Sequence, residues 1–238
     1  MKFAGLLKQS LTDYPGKIAA VLFSRGCNLR CPFCHNAHLL VKPGRAAMAE
    51  EIEISELIPF LGERRGFLDA VVFSGGEPTI NPELTQVIRQ VKETGYLVKL
   101  DTNGSNPLML DQLLQQELLD YVAMDIKAPL EYQKYLQACG RLTFEDFFNI
   151  RSSINFLKTT TIAVEFRTTV VPVWHSPEDI VEIARYIEGA RLYSLQQFNP
   201  RTTLDPELSG VKPYSKAELD QIANRCQLYV QKVRVCNI

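Results

Sequence analysis

The chain has 238 residues, enough for one large domain, because α/β barrels of this length are routinely undivided. Its formal charge is −1 at a sequence pI near 6.3. This gives no basic excess for nucleic acid and no Lys/Arg run for a membrane surface. Lys8 interrupts the apolar N-terminal patch too early for a signal peptide. No apolar run approaches the length of a membrane span, so the expected location is the cytoplasm.

Six strand-like runs follow in chain order. Ile18–Ser24 (IAAVLFS) and Ala70–Ser74 (AVVFS) are short and almost wholly apolar, as expected of strands covered on both faces. Leu97–Asp101, Tyr121–Ile126 and the β-branched Ile162–Val171 come next, and Tyr193–Gln197 is a weaker sixth. Helical patterns alternate with them. Ser55 opens one to about Leu61. Asn81 is expected to cap Pro82-Glu83-Leu84, with Gly95 closing that helix. Asn106-Pro107 opens another to about Leu118. Thr143–Leu157 repeats apolar residues at helical spacing. Ser176-Pro177-Glu178 begins a helix to Ile187, and Ser215 with Glu218 forms a capping box.

This alternation predicts a parallel sheet in the α/β class, wound by right-handed crossovers into a barrel or partial barrel. One domain is expected, with a core over about residues 13–200 and a C-terminal helix and tail over 201–238. The coil Pro200–Pro213 is the expected mobile stretch.

Three of the six cysteines fall within eight residues, in Cys27-Asn28-Leu29-Arg30-Cys31-Pro32-Phe33-Cys34, directly after the first strand. A disulfide framework spreads its cysteines, whereas a tight cluster reads as metal binding. The position suits catalysis, since barrel sites sit in loops after strand C-termini. Three thiolates are one short of the four that close an iron–sulfur cluster, so one iron would stay open. Zinc is the alternative, with His35, His38 or Cys139 as a possible fourth ligand.

CNLRCPFC resembles the CxxxCxΦC signature of the radical-SAM superfamily, where Φ is aromatic. The resemblance implies a single [4Fe–4S] cluster on Cys27, Cys31 and Cys34, with S-adenosylmethionine on the open iron and Phe33 near its adenine. Ser74-Gly75-Gly76-Glu77-Pro78 resembles the family's GGEP turn, which holds the methionine amino group. Glu77 either contacts that group or braces the loop. Asp101-Thr102-Asn103-Gly104 and Asp125-Ile126-Lys127 resemble the DTNG and D-[IL]-K segments of glycyl-radical-enzyme activating proteins. By that likeness Asp101, Asn103, Asp125 and Lys127 line the cofactor pocket, with Lys127 toward the methionine carboxylate. Arg167 is a further candidate. Asn199 stands where pyruvate formate-lyase activators often carry a histidine near the ribose. Asp13-Tyr14-Pro15-Gly16 resembles a D-G-P-G stretch on the partner-facing side.

The implied fold is the partial (β/α)6, TIM-like radical-SAM barrel. The implied reaction is reductive cleavage of S-adenosylmethionine to methionine and a 5′-deoxyadenosyl radical, which takes hydrogen from one glycine of a partner enzyme. The likeness runs to the short form of anaerobic ribonucleoside-triphosphate reductase activating protein, with flavodoxin or ferredoxin as electron donor. Cys139, Cys226 and Cys236 are too dispersed for a second cluster and are expected to be small buried residues. Two other readings stand beside this one. The first is a radical-SAM enzyme acting on a small molecule, of the 7-deazaguanine-pathway type. The second is a zinc-stabilised binding module without catalysis.

Overall fold

A computed structural model describes residues 1–40 and 51–236. Two compact units emerge from their contacts.

The first unit comprises residues 1–27, 38–102 and 106–122. Its strands are β1 (Lys2–Ser10), β2 (Ala19–Ser24), β3 (Ile52–Glu53), β4 (Ala70–Gly75) and β5 (Leu97–Thr102), in the order β3-β1-β2-β4-β5. Helices α1 (Ile54–Glu63), α2 (Leu84–Glu93) and α3 (Pro107–Gln115) connect them. β1 and β2 are antiparallel, with Leu6 opposite Leu22. β2, β4 and β5 are parallel, pairing Ala19 with Ala70 and Ala70 with Leu97. The apolar runs explain this layer. Ala19–Leu22, Val71–Phe73, Val98 and Leu100 are all fully buried. Each large aliphatic or aromatic side chain so placed contributes about 1.5–3 kcal/mol relative to exposure. The parallel register also sets Ser24 beside Gly75, so the loops after β2 and β4 emerge together.

β6 (Tyr121–Asp125) leads from the first unit into the second, which comprises residues 28–37, 103–105 and 123 onward. There β7 (Ala163–Val170), β8 (Tyr193–Gln197) and β9 (Val233–Cys236) are parallel, with Phe166 opposite Tyr193 and Tyr193 opposite Val233. The helices are α4 (Tyr132–Cys139), α5 (Phe144–Leu157), α6 (Pro177–Tyr186) and α7 (Lys216–Cys226). Reciprocal capping boxes start α5 at Thr143/Asp146, α6 at Ser176/Asp179 and α7 at Ser215/Glu218. No described helix is long and apolar enough to cross a membrane.

Several sequence expectations shift. α2 begins at Leu84, not at Pro82, because Asn81 Oδ1 takes the Glu83 N–H and turns the chain before the helix starts. α3 stops at Gln115, where Glu117 adopts a left-handed φ of 53°. The coil after Pro200 contains a 3-10 turn at Pro206–Gly210, capped by Asp205, whose N–H is bonded to Pro32 O. The C-terminal tail forms β9, and the N-terminal patch forms β1.

Candidate active site

In the first unit, the strand ends that carry the motifs are tied by backbone atoms. Gly76 N–H donates to Ser24 O at 2.9 Å, and Glu77 N–H donates to Gly26 O at 2.8 Å. The segment entering the cysteine loop is thus stapled to the turn after β4. The glycines are what permit it. A Cβ on Gly76 would lie 1.8 Å from Gly26 O, and one on Gly75, at φ +106°, would lie 2.5 Å from Ser24 N. Only a residue without a side chain allows so close a backbone approach.

Glu77 is buried, and its Oε1 accepts from Thr79 N, Thr79 Oγ1 and Thr102 Oγ1 at 2.6–3.0 Å. This carboxylate braces the turn and connects it to the end of β5. Asp101 is held by Ser74 Oγ (2.9 Å) and by the buried Lys99 (2.7 Å). Lys99 also donates to Asp13 O at 2.6 Å and lies over the Tyr121 ring, which packs on Tyr14. Asp13-Tyr14-Pro15-Gly16 forms the turn expected of Pro-Gly, with Lys17 N–H bonded to Tyr14 O and Gly16 at φ +69°.

In the second unit, Asp125, Lys127 and Arg167 form one ionic cluster. Lys127 Nζ donates to Asp125 Oδ2 at 2.9 Å, and Arg167 Nε donates to Oδ1 at 2.7 Å. Burial pushes the Asp125 carboxyl upward, but the Arg167 and Lys127 charges outweigh it and bring it down to about 2. Lys127 is raised: burial opposes its charge, and Asp125 and then Cys31 overcome that. Its backbone is held as well. Lys127 N–H donates to Tyr135 Oη, and the His175 ring bonds Lys127 O at 2.8 Å. Because Val171 N–H donates to His175 Nδ1, the ring proton sits on Nε2 and points at Lys127 O.

Phe33 is buried, 5.9 Å from the Trp174 ring and beneath the Lys127 ammonium. Asn103 donates to Asn28 Oδ1 and accepts from Ser105 N–H, while Asn28 donates to Asp146 on α5. The cysteine loop is therefore fastened to the turn after β5 and to a helix start. Asn199 lines a cavity of about 450 Å³ with His35, Gln197 and Phe198.

The Cys31 thiol is lowered from its ordinary value. A hydrogen bond from Cys139 lowers it, burial opposes, and the Lys127 charge assists. Burial raises Cys34. The sequence offered Cys139 as a possible fourth zinc ligand and otherwise as a dispersed buried thiol, not as a hydrogen-bond partner of Cys31. The available signal was Gly140, a left-handed C-cap at φ +66° closing the short helix α4.

The family model of the radical-SAM superfamily matches residues 21–151. A Methanocaldococcus jannaschii protein named for glycyl-radical enzyme activation is 36% identical over 236 residues, covering 99% of this chain and 95% of its own. The chain belongs to the radical-SAM superfamily, in its glycyl-radical-activating branch. A pyruvate formate-lyase-activating enzyme of Clostridium pasteurianum is 31% identical over 215 residues, 88% of this chain and 84% of that one. The structure of Streptococcus suis SuiB bound to S-adenosylmethionine superposes with a TM-score of 0.67 at 15% identity, over 91% of this chain and 49% of that one. That likeness concerns the fold, the α/β partial barrel expected from the strand–helix alternation.

A radical-SAM protein of this branch uses a [4Fe–4S] cluster and S-adenosylmethionine, and the residues fit both. Three thiols lie within eight residues, one of them biased toward thiolate. Ser24 Oγ, just before the loop, and Gln197 Oε1, on the cavity, are buried without a hydrogen bond among the described residues. Buried polar atoms rarely stay unpaired in a native protein, which suits sites completed by a ligand. Among the described residues no three His, Cys, Asp or Glu side chains stand as a preformed ligand set. The loop's sequence, not preset side-chain geometry, carries the ligand assignment.

Proposed function

We propose that this radical-SAM protein generates the glycyl radical of an anaerobic ribonucleoside-triphosphate reductase, with Cys27, Cys31 and Cys34 holding one [4Fe–4S] cluster. The observation that carries the reading is the staple between Gly26 O and Glu77 N–H, which joins the cysteine loop to the GGEP turn. An isolated metal-binding knob would have no use for that connection. When bound, the cluster and S-adenosylmethionine supply the electron transfer and bond cleavage, and the protein supplies position and exclusion.

In this reading each residue has a task. Gly75 and Gly76 admit the Ser24 and Gly26 backbone, and Glu77 keeps rigid the turn whose carbonyls would receive a ligand's amino group. Asp125 aims the Lys127 ammonium at the methionine carboxylate, and Arg167 fixes Asp125. Phe33 offers an apolar face to the adenine. Asp101 is held by Lys99 in the first unit, and Asn103 is held to Asn28 in the second. Asn199, on the cavity with His35 and Gln197, would serve the ribose. The reductase assignment draws on the DYPGKIAAVLFSRGCNLRCPFCHN and YVAMDIK segments. The setting is a cytoplasm with flavodoxin or ferredoxin as donor.

The test is anaerobic reconstitution, reduction, and incubation with S-adenosylmethionine and either a reductase-type glycyl-radical protein or pyruvate formate-lyase. A glycyl-radical EPR doublet on the reductase, with 5′-deoxyadenosine released, is the expected result. A doublet on the lyase alone would move the assignment to that partner. Cofactor cleavage with no radical on either protein would favour a small-molecule substrate.

A further inference from the structure

Lys127 stands just past Asp125, the last residue of β6. Ile126 is still tied to β7, its N–H donating to Arg167 O at 2.8 Å and its O accepting from Thr168 Oγ1 at 2.9 Å. Buried peptide groups need partners, and Lys127 takes both of its main-chain bonds from side chains. Tyr135 Oη, on α4, accepts the Lys127 N–H at 3.1 Å, and His175 Nε2, in the turn after β7, donates to Lys127 O at 2.8 Å. Tyr135 and His175 are both fully buried. His175 is itself held on two sides: Val171 N–H donates to its Nδ1 at 2.9 Å, and Tyr214 Oη donates to its O at 2.9 Å. The same turn carries Trp174, whose ring packs on Phe33, and the Lys127 ammonium lies over that Phe33 ring.

We infer that His175 is a positioning residue for the carboxylate of S-adenosylmethionine, acting with Tyr135 through the two main-chain atoms of Lys127. The inference rests on Lys127 meeting that carboxylate, as proposed above. A lysine ammonium is a point charge on a flexible four-carbon stem. Asp125 anchors its far end, but that anchor places the charge only if the stem starts from a fixed point. The bonds at N–H and O supply the fixed point from two different elements. Without them Lys127 must be ordered when the ligand arrives, and that cost is taken from affinity. The neutral imidazole suits the task because one nitrogen accepts while the other donates, so the turn and Lys127 are held together. Asparagine and glutamine divide these two duties. An asparagine amide oxygen falls near Nδ1 and still accepts from Val171, but the side chain ends short of Lys127 O. A glutamine amide nitrogen falls near Nε2 and keeps the bond to Lys127 O.

The experiment is equilibrium dialysis of S-adenosylmethionine against the reconstituted, full-length protein with its cluster oxidised, so that binding is read without cleavage. His175→Asn, His175→Gln and Tyr135→Phe are compared with wild type, each alone and combined with Lys127→Met. Iron and sulfide content and circular dichroism are recorded for each. Kd should rise about threefold to tenfold in His175→Asn and in Tyr135→Phe, the size expected when one side chain must be ordered on binding. His175→Gln should bind as wild type. In the Lys127→Met background the same substitutions should change Kd by less than about twofold, because the group they act through is gone. Three results would overturn the inference and leave the Lys127 reading intact, provided Lys127→Met alone weakens binding: a loss of equal size in both backgrounds, a loss as large in His175→Gln as in His175→Asn, or wild-type affinity in His175→Asn. Should the His175 variants fail to fold, Tyr135→Phe decides, a loss confined to the Lys127 background supporting the inference and any other result overturning it. Wild-type affinity in Lys127→Met would remove the carboxylate reading itself, and the inference with it.

Discussion

Replacing Asp125 with Asn removes the anion shared by Lys127 and Arg167 while keeping the side chain's shape. The carboxyl falls from its ordinary 3.8 to about 2 in the folded protein. At about 1.4 kcal/mol for each tenfold change in acidity, that difference is worth roughly 2 kcal/mol of stability. The variant also leaves an ammonium and a guanidinium side by side, with side-chain exposures of only 16% and 13%. Breaking a buried pair by removing one partner costs about 3–5 kcal/mol, so a partly buried triad should lose about 2–4. Since the folded value is depressed, the contribution is complete above 3.8 and disappears as pH falls toward 2. Urea unfolding of the apoprotein, followed by circular dichroism between pH 7 and pH 3, measures it. The gap between wild type and Asp125→Asn should be constant down to about pH 5 and narrow by about 1 kcal/mol at pH 3. A gap below about 0.5 kcal/mol at pH 7, or one that does not narrow, would refute the view that these charges stabilise one another.

Four more outcomes follow from the geometry. Gly76→Ala must displace Gly26 O and strain two backbone hydrogen bonds. Overpacking of this kind costs about 1–3 kcal/mol, and a lower thermal midpoint together with poor cluster retention should result. Gly62→Ala, on α1 with open space around it, should raise the midpoint by removing a flexible helical residue worth about 1 kcal/mol. His175→Gln should change the acid profile. Burial lowers the wild-type imidazole below 6.5, so the native state resists protonation. Wild type should then lose stability below pH 6.5 more steeply than the variant, by at most about 1.4 kcal/mol for each pH step, and parallel curves would count against it. Asn28→Ala breaks the link between Asn103 and Asp146, and a loss of about 1–3 kcal/mol in chemical unfolding is expected.

Of the six expected strands, IAAVLFS and AVVFS were legible as nearly continuous apolar runs, the middle ones by β-branched and apolar content, and Tyr193–Gln197 only weakly. β1 was not, because Lys2, Gly5, Lys8 and Gln9 break its pattern, and its apolar residues find their partners only once β2 lies alongside. α4 has eight residues and a largely polar sequence, too little periodicity to stand out, and β9 is only four residues long. The motifs of the site were equally visible, since glycines and charges at strand ends are poor core material. Their division of labour was not. Whether Glu77 touches a ligand or braces a turn depends on Thr79 and Thr102, whose proximity no spacing encodes. The bond from Arg30 N–H to Cys139 O depends in the same way on a helix end meeting a loop more than 100 residues earlier in the chain.

The staple at Gly26 and Glu77 is made of main-chain atoms alone. Its register is therefore indifferent to which side chains decorate the adjoining positions, provided the glycines stay. Its fit depends on Gly75 and Gly76 and not on a side chain of the loop, whereas Asn28 and Phe33 within the loop answer to other neighbours. A scaffold of this kind separates what sets the height of the loop's entry, which is backbone, from what fills its interior, which is side chain.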